Sequence, residues 1–280
     1  MAGTLQASSL IGIFDSGVGG LSILKEIRTH SPNETILYLA DQFHVPYGER
    51  SLEEIRNFST AIAQFFLDQG VKLIVVACNT ASAAALHHLR KKFPAIPFVG
   101  MEPAVKPAAE FSKTRRVGVL ATPATFQGVL YASVVERFAR DVTLYPHTCP
   151  GLVGQIEAGE LDSPTTRSIL ENALLPMLKE EIDTIILGCT HYPFVIPLIK
   201  DIVGLNVRVI DPAPAIARQV ERLLIKDEID QTNSGFSRVD YLTSGNRKNF
   251  IQFMNKVEID PGDVKTIKWI DEILDVDSIQ

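Results

Sequence analysis

Apolar runs of strand length alternate with helical periodicity along the chain, an arrangement that predicts βα units around parallel sheet. The runs fall at residues 10–14, 35–39, 73–77, 97–99, 116–120, 142–145, 184–187 and 207–210. They are nearly continuous in Val, Ile and Leu, which suits strands covered by helices on both faces. Between them, Ser51-Leu52-Glu53-Glu54 is a capping box that opens a helix running toward Gln69, with Gly70 as its stop. The alanine-rich stretch from Thr80 predicts a helix that packs closely on its sheet. Residues 225–237 are polar and read as loop, ahead of a strand at Val239–Thr243 and a helix from Asn246. Prolines 94, 97, 103 and 107 suggest a unit boundary near residue 102, and Asp211-Pro212-Ala213-Pro214 suggests another.

Two of the apolar runs end alike. Leu73-Ile74-Val75-Val76-Ala77-Cys78-Asn79-Thr80 and Thr184-Ile185-Ile186-Leu187-Gly188-Cys189-Thr190-His191 each close on a small residue, a cysteine and hydrogen-bonding side chains. The cysteines stand 111 positions apart (189 − 78). The runs Ile11-Gly12-Ile13-Phe14-Asp15-Ser16 and Val117-Gly118-Val119-Leu120-Ala121-Thr122 are offset by 106 (117 − 11). Two pairs at nearly one spacing predict a duplicated α/β unit. If the copies face each other, each contributes one thiol to a shared cleft. Opposed thiols can take a proton from one face of a carbon and return one to the other, which is racemisation.

Bulk properties narrow the setting. A length of 280 residues allows one large domain or two ordinary ones. The net charge of −6 supplies no basic field for nucleic acid or an anionic membrane, so neither is an expected partner. No apolar run approaches the roughly twenty residues of a bilayer span, and residues 1–9 lack the pattern of a signal peptide. Three cysteines, an odd number, do not make a disulfide framework, and a reducing cytoplasm is expected.

In open α/β sheets ligands bind beyond the carboxyl ends of the strands. Asp15-Ser16, Asp41, Cys78-Asn79-Thr80, Thr122, Cys189-Thr190-His191 and Asp211 all fall at such ends. Thr122 and Asp211 read as ordinary helix caps. Asp15-Ser16-Gly17-Val18-Gly19-Gly20 could be a dinucleotide cradle, but it misses the third small residue by one position, and Asp15 would sit against a pyrophosphate. The favoured reading is a turn whose glycines let the backbone approach a small ligand, with helix N–H groups facing its carboxylate. Val45-Pro46-Tyr47-Gly48 is a rigid turn whose N–H groups could hold a second carboxylate. Cys189-x-His191, Cys78 and Cys149 lack the spacing of a zinc motif, so no metal is expected, and Cys149 reads as structural. No strand end carries a lysine for a Schiff base, so the chemistry calls for no cofactor and a tuned thiolate instead. Both thiols are expected just before helices, where the dipole favours the thiolate, with Asp15 and His191 as proton relays.

The motifs Phe14-Asp15-Ser16-Gly17-Val18-Gly19-Gly20-Leu21, Val45-Pro46-Tyr47-Gly48, Ala77-Cys78-Asn79-Thr80-Ala81 and Gly188-Cys189-Thr190-His191-Tyr192-Pro193 resemble, in order, those of glutamate racemases in the cofactor-independent aspartate/glutamate racemase superfamily. The resemblance implies an α/β fold of two pseudo-duplicated, doubly wound parallel-sheet domains facing each other across a cleft. Residues 1–102 with 212–280 would form one domain, and 103–211 the other. It implies Cys78 and Cys189 as acid/base residues, assisted by Asp15, Glu157 and His191. Asp15, Ser16, Tyr47, Gly48, Asn79, Thr80, Thr190 and His191 would hold the substrate. Also implied are glutamate as substrate, D-glutamate supply for peptidoglycan, a bacterial cytoplasm and a homodimer. Members activated by a cell-wall nucleotide precursor carry a longer N-terminal extension, so such activation is not expected. Aspartate racemisation is the nearest alternative, disfavoured by His191 after Cys189-Thr190. Beyond the superfamily stand a non-catalytic amino-acid-binding protein and a nucleotide-dependent dehydrogenase.

Overall fold

Strands β1 (Leu10–Asp15) and β5 (Arg116–Ala121) each lie between two parallel neighbours, and the strands around them repeat one order. In the first sheet β1 lies between β2 (Thr35–Ala40) and β3 (Leu73–Val76), with β4 (Phe98–Gly100) beyond β3. In the second, β5 lies between β6 (Thr143–His147) and β7 (Thr184–Gly188), with β8 (Arg208–Ile210) beyond β7. The duplication inferred from spacing is therefore a duplication of topology. The first sheet is extended on the β2 side by β9 (Val239–Thr243) and then β10 (Val264–Thr266), both parallel. A short antiparallel hairpin, β11 (Lys268–Ile270) with β12 (Ile273–Asp275), follows. The computed structural model describes residues 10–226, 237–275 and 279.

Near-continuous burial of β1, β3, β5 and β7 explains why their sequences are apolar without alternation. The largest apolar cluster runs through both sheets, from Ile11, Tyr38 and Val75 to Ile185, Leu187 and Ile199. In it, helix α1 (Leu21–His30) packs on α10 (Ala213–Lys226). The opposite face of the first sheet is covered by α2 (Leu52–Asp68) and α3 (Asn79–Lys92). The opposite face of the second is covered by α4 (Val105–Phe111) and α6 (Val129–Phe138). Helix α2 opens on the capping box expected at Ser51, with Ser51 Oγ accepting the Glu54 N–H and Glu54 accepting the Ser51 N–H.

Several boundaries differ from the sequence reading. Residues 225 and 226, read as loop, continue α10, whose apolar stripe reaches Leu224; 227–236 lie outside the described residues. Strand β6 runs through Pro146 to His147, because it is an edge strand paired with β5 alone and Pro146 needs to donate nothing outward. Strands β10 to β12 carry no apolar run long enough to be seen in sequence. Among the described residues no helix is long and apolar enough to cross a membrane.

Candidate active site

The two sheets meet at their carboxyl ends, and the turn from β1 into α1 forms the seam. Asp15 Oδ1 accepts the Gly17 N–H at 2.8 Å, and the buried Tyr38 hydroxyl donates to the Gly17 carbonyl at 2.8 Å, which pins the turn from both sides. Asp15 Oδ2 accepts from Thr190 Oγ1, beyond β7, at 2.8 Å. A Cβ on Gly17 would overlap Glu157 Oε1, and one on Gly19 would lie 2.5 Å from His191 Nδ1. The glycines thus admit the protein's own side chains. The Val18 N–H, one turn ahead of α1, donates to Glu157 Oε1 at 2.8 Å. Within the chain this turn serves as an internal joint between the two sheets.

Cys78 follows β3 and caps α3: its Sγ accepts the Ala81 N–H at 3.4 Å and lies 3.9 Å from Ser16 Oγ, which is 3.5 Å from Asp15 Oδ1. Three polar contacts therefore lead from the Cys78 thiol to Thr190, the neighbour of Cys189. Cys189 differs from the sequence expectation. It precedes no α-helix; after His191 comes a 3-10 turn at Tyr192–Val195 that runs into α9 (Ile196–Val203), with prolines at both starts. Its polar partner is His191, with Nδ1 3.7 Å from Sγ. The far ring nitrogen, Nε2, lies 2.6 Å from Glu157 Oε1. Glu157 closes the short helix α7 (Leu152–Glu157). Its two carboxylate oxygens meet the Val18 N–H, the Gln42 amide and the His191 ring.

On the first-sheet side, Tyr47 and Gly48 start a 3-10 turn and are buried. Tyr47 donates to Asp41 at 2.6 Å, and Asp41 also bonds Ser244 at 2.8 Å and Trp269 Nε1 at 2.7 Å, with His44 Nδ1 at 2.8 Å. Gly48 lies against Thr122, and Thr80, Thr122 and Thr125 form a buried hydroxyl cluster with spacings of 2.8, 2.9 and 3.4 Å. Thr122 caps α5 (Pro123–Gln127) as expected, and Asp211 Oδ1 accepts the Ala213 N–H. Asn79 is buried with neither its Nδ2 nor its Oδ1 partnered among the described residues. A buried primary amide with no partner costs on the order of 1–3 kcal/mol for each unmet group, and so marks a place where a ligand completes the structure.

Electrostatics sort the titrating groups. Burial pushes Asp15 up to about 6, partly offset by His191, Thr190 and the Gly17 N–H. Burial, then the Asp15 carboxylate, holds the Cys78 thiol far above the ordinary range, and Cys189 adds to this. Burial opposes the charging of His191, but its bonds to Cys189 and Glu157 outweigh that and keep the ring well above the ordinary imidazole value. Cys149, 3.6 Å from His147 Nδ1, is pushed up to about 12 by burial, and the interactions above give it no part. Among the described residues no group of three His, Cys, Asp or Glu side chains is placed to hold a metal ion.

Asp15, Ser16, Cys78, Glu157, Cys189, Thr190 and His191 fall in one contact network, and Gly48 and Thr80 meet at Thr122, whereas Asp211 lies apart from both. Six participants escape sequence reasoning: Tyr38, His44, Thr125, Ser244, Trp269 and Gln42, whose Nε2 donates to Glu157 Oε2 at 2.7 Å. Gln42 directly follows the strand-end Asp41, and that adjacency is the one signal that could have found it.

Comparison with known proteins gives the family and the fold. Residues 21–220 match the family described as Asp/Glu/hydantoin racemase. The chain is 54% identical over 217 residues to the glutamate racemase of Pseudomonas aeruginosa, spanning 78% of this chain and 82% of that protein. Its fold is similar to glutamate racemase isoform RacE1 from Bacillus anthracis, with TM-score 0.82, 31% identity, and coverage of 96% of this chain and 100% of the other. It is similar also to the Francisella tularensis glutamate racemase solved with D-glutamate, with TM-score 0.80, 30% identity, and coverage of 92% and 97%.

Proposed function

The chain belongs to the Asp/Glu/hydantoin racemase family, and from that membership and the site we propose that it interconverts L- and D-glutamate with Cys78 and Cys189 as opposed acid and base. The observation that carries the reading is the pair of buried cysteines at equivalent strand ends of two duplicated sheets, joined through Ser16, Asp15 and Thr190.

The chemistry follows from the surroundings of each thiol. A thiolate on one side of the α-carbon takes its proton: the C–H bond breaks and an S–H bond forms. The opposite thiol gives up its proton to the other face of the carbanion, and the configuration inverts. The two sulfurs finish with exchanged protonation states, so each needs a way to reset. Asp15, near-neutral in range, serves Cys78 through Ser16. His191, anchored by Glu157, serves Cys189. The helix α3 N-terminus favours the anionic form of Cys78 against its burial. The unpartnered Asn79 amide, the Thr80 and Thr190 hydroxyls and the Tyr47-Gly48 turn hold the carboxylates and ammonium group. A site of this kind calls on no cofactor, since both proton carriers are side chains of the chain.

The same proposal takes residues 1–102 with 212–280 as one domain and 103–211 as the other, supported by the packing of α1 on α10 and the addition of β9 to the first sheet. A homodimer, a cytoplasmic location suited to three free thiols, and supply of D-glutamate to peptidoglycan complete it. Circular dichroism on L-glutamate, D-glutamate and L-aspartate in cofactor-free buffer tests it. Loss of ellipticity from both glutamates is expected, and turnover of aspartate alone overturns the assignment.

A further inference from the structure

Asp41 and Gln42, the two residues after β2, divide between the two sides of the cleft. Asp41 turns to Tyr47, whereas Gln42 reaches across the seam to Glu157. Both ends of the Gln42 amide are used: Nε2 donates to Glu157 Oε2 at 2.7 Å, and Oε1 accepts from Thr243 Oγ1 at 2.8 Å. The Gly245 N–H donates in turn to Thr243 Oγ1 at 3.0 Å, which fixes the hydroxyl that holds Gln42. A Cβ at position 245 would fall 2.6 Å from Gln42 Cβ and 3.2 Å from its Oε1, so the corner after β9 is shaped around this side chain.

The far end of the chain of contacts is a thiol. Glu157 gives its other oxygen to the Val18 N–H at 2.8 Å and to His191 Nε2 at 2.6 Å, and His191 Nδ1 lies 3.7 Å from Cys189 Sγ. Two bonds hold Glu157 Oε1, and among the described residues Gln42 holds the second oxygen, which fixes the tilt of the carboxylate about Oε1. We propose that Gln42 is a positioning residue for proton transfer at Cys189, clamped by Thr243 so that its amide sets the orientation of Glu157 and through it the His191 ring. Its side-chain bonds run to Glu157 and Thr243 and to neither thiol; the hydrogen-bonded route through Glu157 and His191 ends at Cys189, and Cys78 is reached only through the charges that Glu157 and His191 place on Asp15. The inference rests on the two-thiol reading above.

That one-sidedness gives a readout that general damage to the fold would not produce. Enantiomers are equally stable, so kcat/KM is the same in both directions for any variant, and the asymmetry must be sought in isotope effects. Full-length Gln42→Met, which keeps the length of the side chain and loses the amide, should lower kcat about tenfold, because water at the half-buried site restores part of the lost bond. With α-deuterated glutamate, the isotope effect should rise for the enantiomer deprotonated by Cys189. For the other it should shrink, since return of a proton from Cys189 becomes slow there. Thr243→Val should shift both effects in the same directions by less, and it carries the test alone if Gln42→Met does not fold. Unchanged kcat in Gln42→Met, or isotope effects that move equally for both enantiomers, overturns the proposal. Cys78→Ser and Cys189→Ser, run alongside, assign each enantiomer to its thiol. If both serine variants racemise at full rate, the two-thiol reading has failed, and the fault does not lie with Gln42.

Discussion

Thr190 Oγ1 donates to Asp15 Oδ2 at 2.8 Å, joining the turn after the inner strand of one sheet to the turn after the cysteine-bearing strand of the other. The acceptor is fully buried, and burial pushes its pKa from 3.8 up to about 6. The folded state therefore holds the Asp15 proton more tightly than the unfolded chain does. Stability from this group is complete below about pH 4 and is lost as pH rises through about 6, the cost at pH 8 being on the order of 3 kcal/mol. Asp15→Asn cannot ionise. Its melting temperature should exceed that of the parent at pH 8 and approach it at pH 4, while racemisation falls steeply. A Tm difference that is the same at both pH values removes Asp15 from this role.

Because Glu157 and His191 sit where side chains on Gly17 and Gly19 would be, the joint tolerates no methyl group. Gly17→Ala should displace Glu157, break its bonds to Val18 and His191, and cost about 1–3 kcal/mol of stability through overpacking. Activity should drop by at least tenfold even at temperatures where the variant is folded. Denaturant melts with assays at 25 °C check this, and an Ala variant with parental activity means that the contact is dispensable.

Much of this was legible in the sequence, for identifiable reasons. Strands β3 and β7 stand out because both faces are covered, so their runs are unbroken by polar residues. Ser51 and Glu54 announce α2 because a capping box is a local device. The strand-end residues could be found because the fold concentrates ligand chemistry there. What escaped depends on distance along the chain or on lack of length. Gln42 meets Glu157 across 115 positions, and no local pattern encodes that meeting. Strands β10 to β12 are three residues each and rely on existing sheet or on each other. Cys189 was expected to precede a helix, yet the prolines at 193 and 197 delay α9 and leave His191 as its partner.

The chain's one tryptophan reports on the site. Trp269 Nε1 and the Tyr47 hydroxyl both donate to Asp41, and His44 stacks on Phe58 at 3.8 Å beside them. A ligand that engages the Tyr47-Gly48 turn changes the field at Asp41 and with it the indole environment. Glutamate titration should alter the Trp269 emission saturably in the parent, and Tyr47→Phe should reduce the amplitude, since it removes the donor that couples turn to indole. An emission unaffected by saturating glutamate separates the hairpin from the site.

The two thiols differ in surroundings, and that difference should be visible when one is removed. Cys78 depends on a helix terminus and on Asp15 through Ser16, whereas Cys189 depends on the His191–Glu157 pair. Serine is a poor base at neutral pH, so Cys78→Ser and Cys189→Ser should each lower racemisation by about 10²–10⁴-fold. Each variant retains one intact thiol, able to remove the proton from its own face without completing inversion. Exchange of the α-proton with deuterated solvent should therefore persist for one enantiomer in Cys78→Ser and for the opposite enantiomer in Cys189→Ser. Proton NMR of D- and L-glutamate incubated with each variant measures this directly. Should both variants exchange the same enantiomer, or both enantiomers at equal rates, the thiols do not stand on opposite faces of the α-carbon.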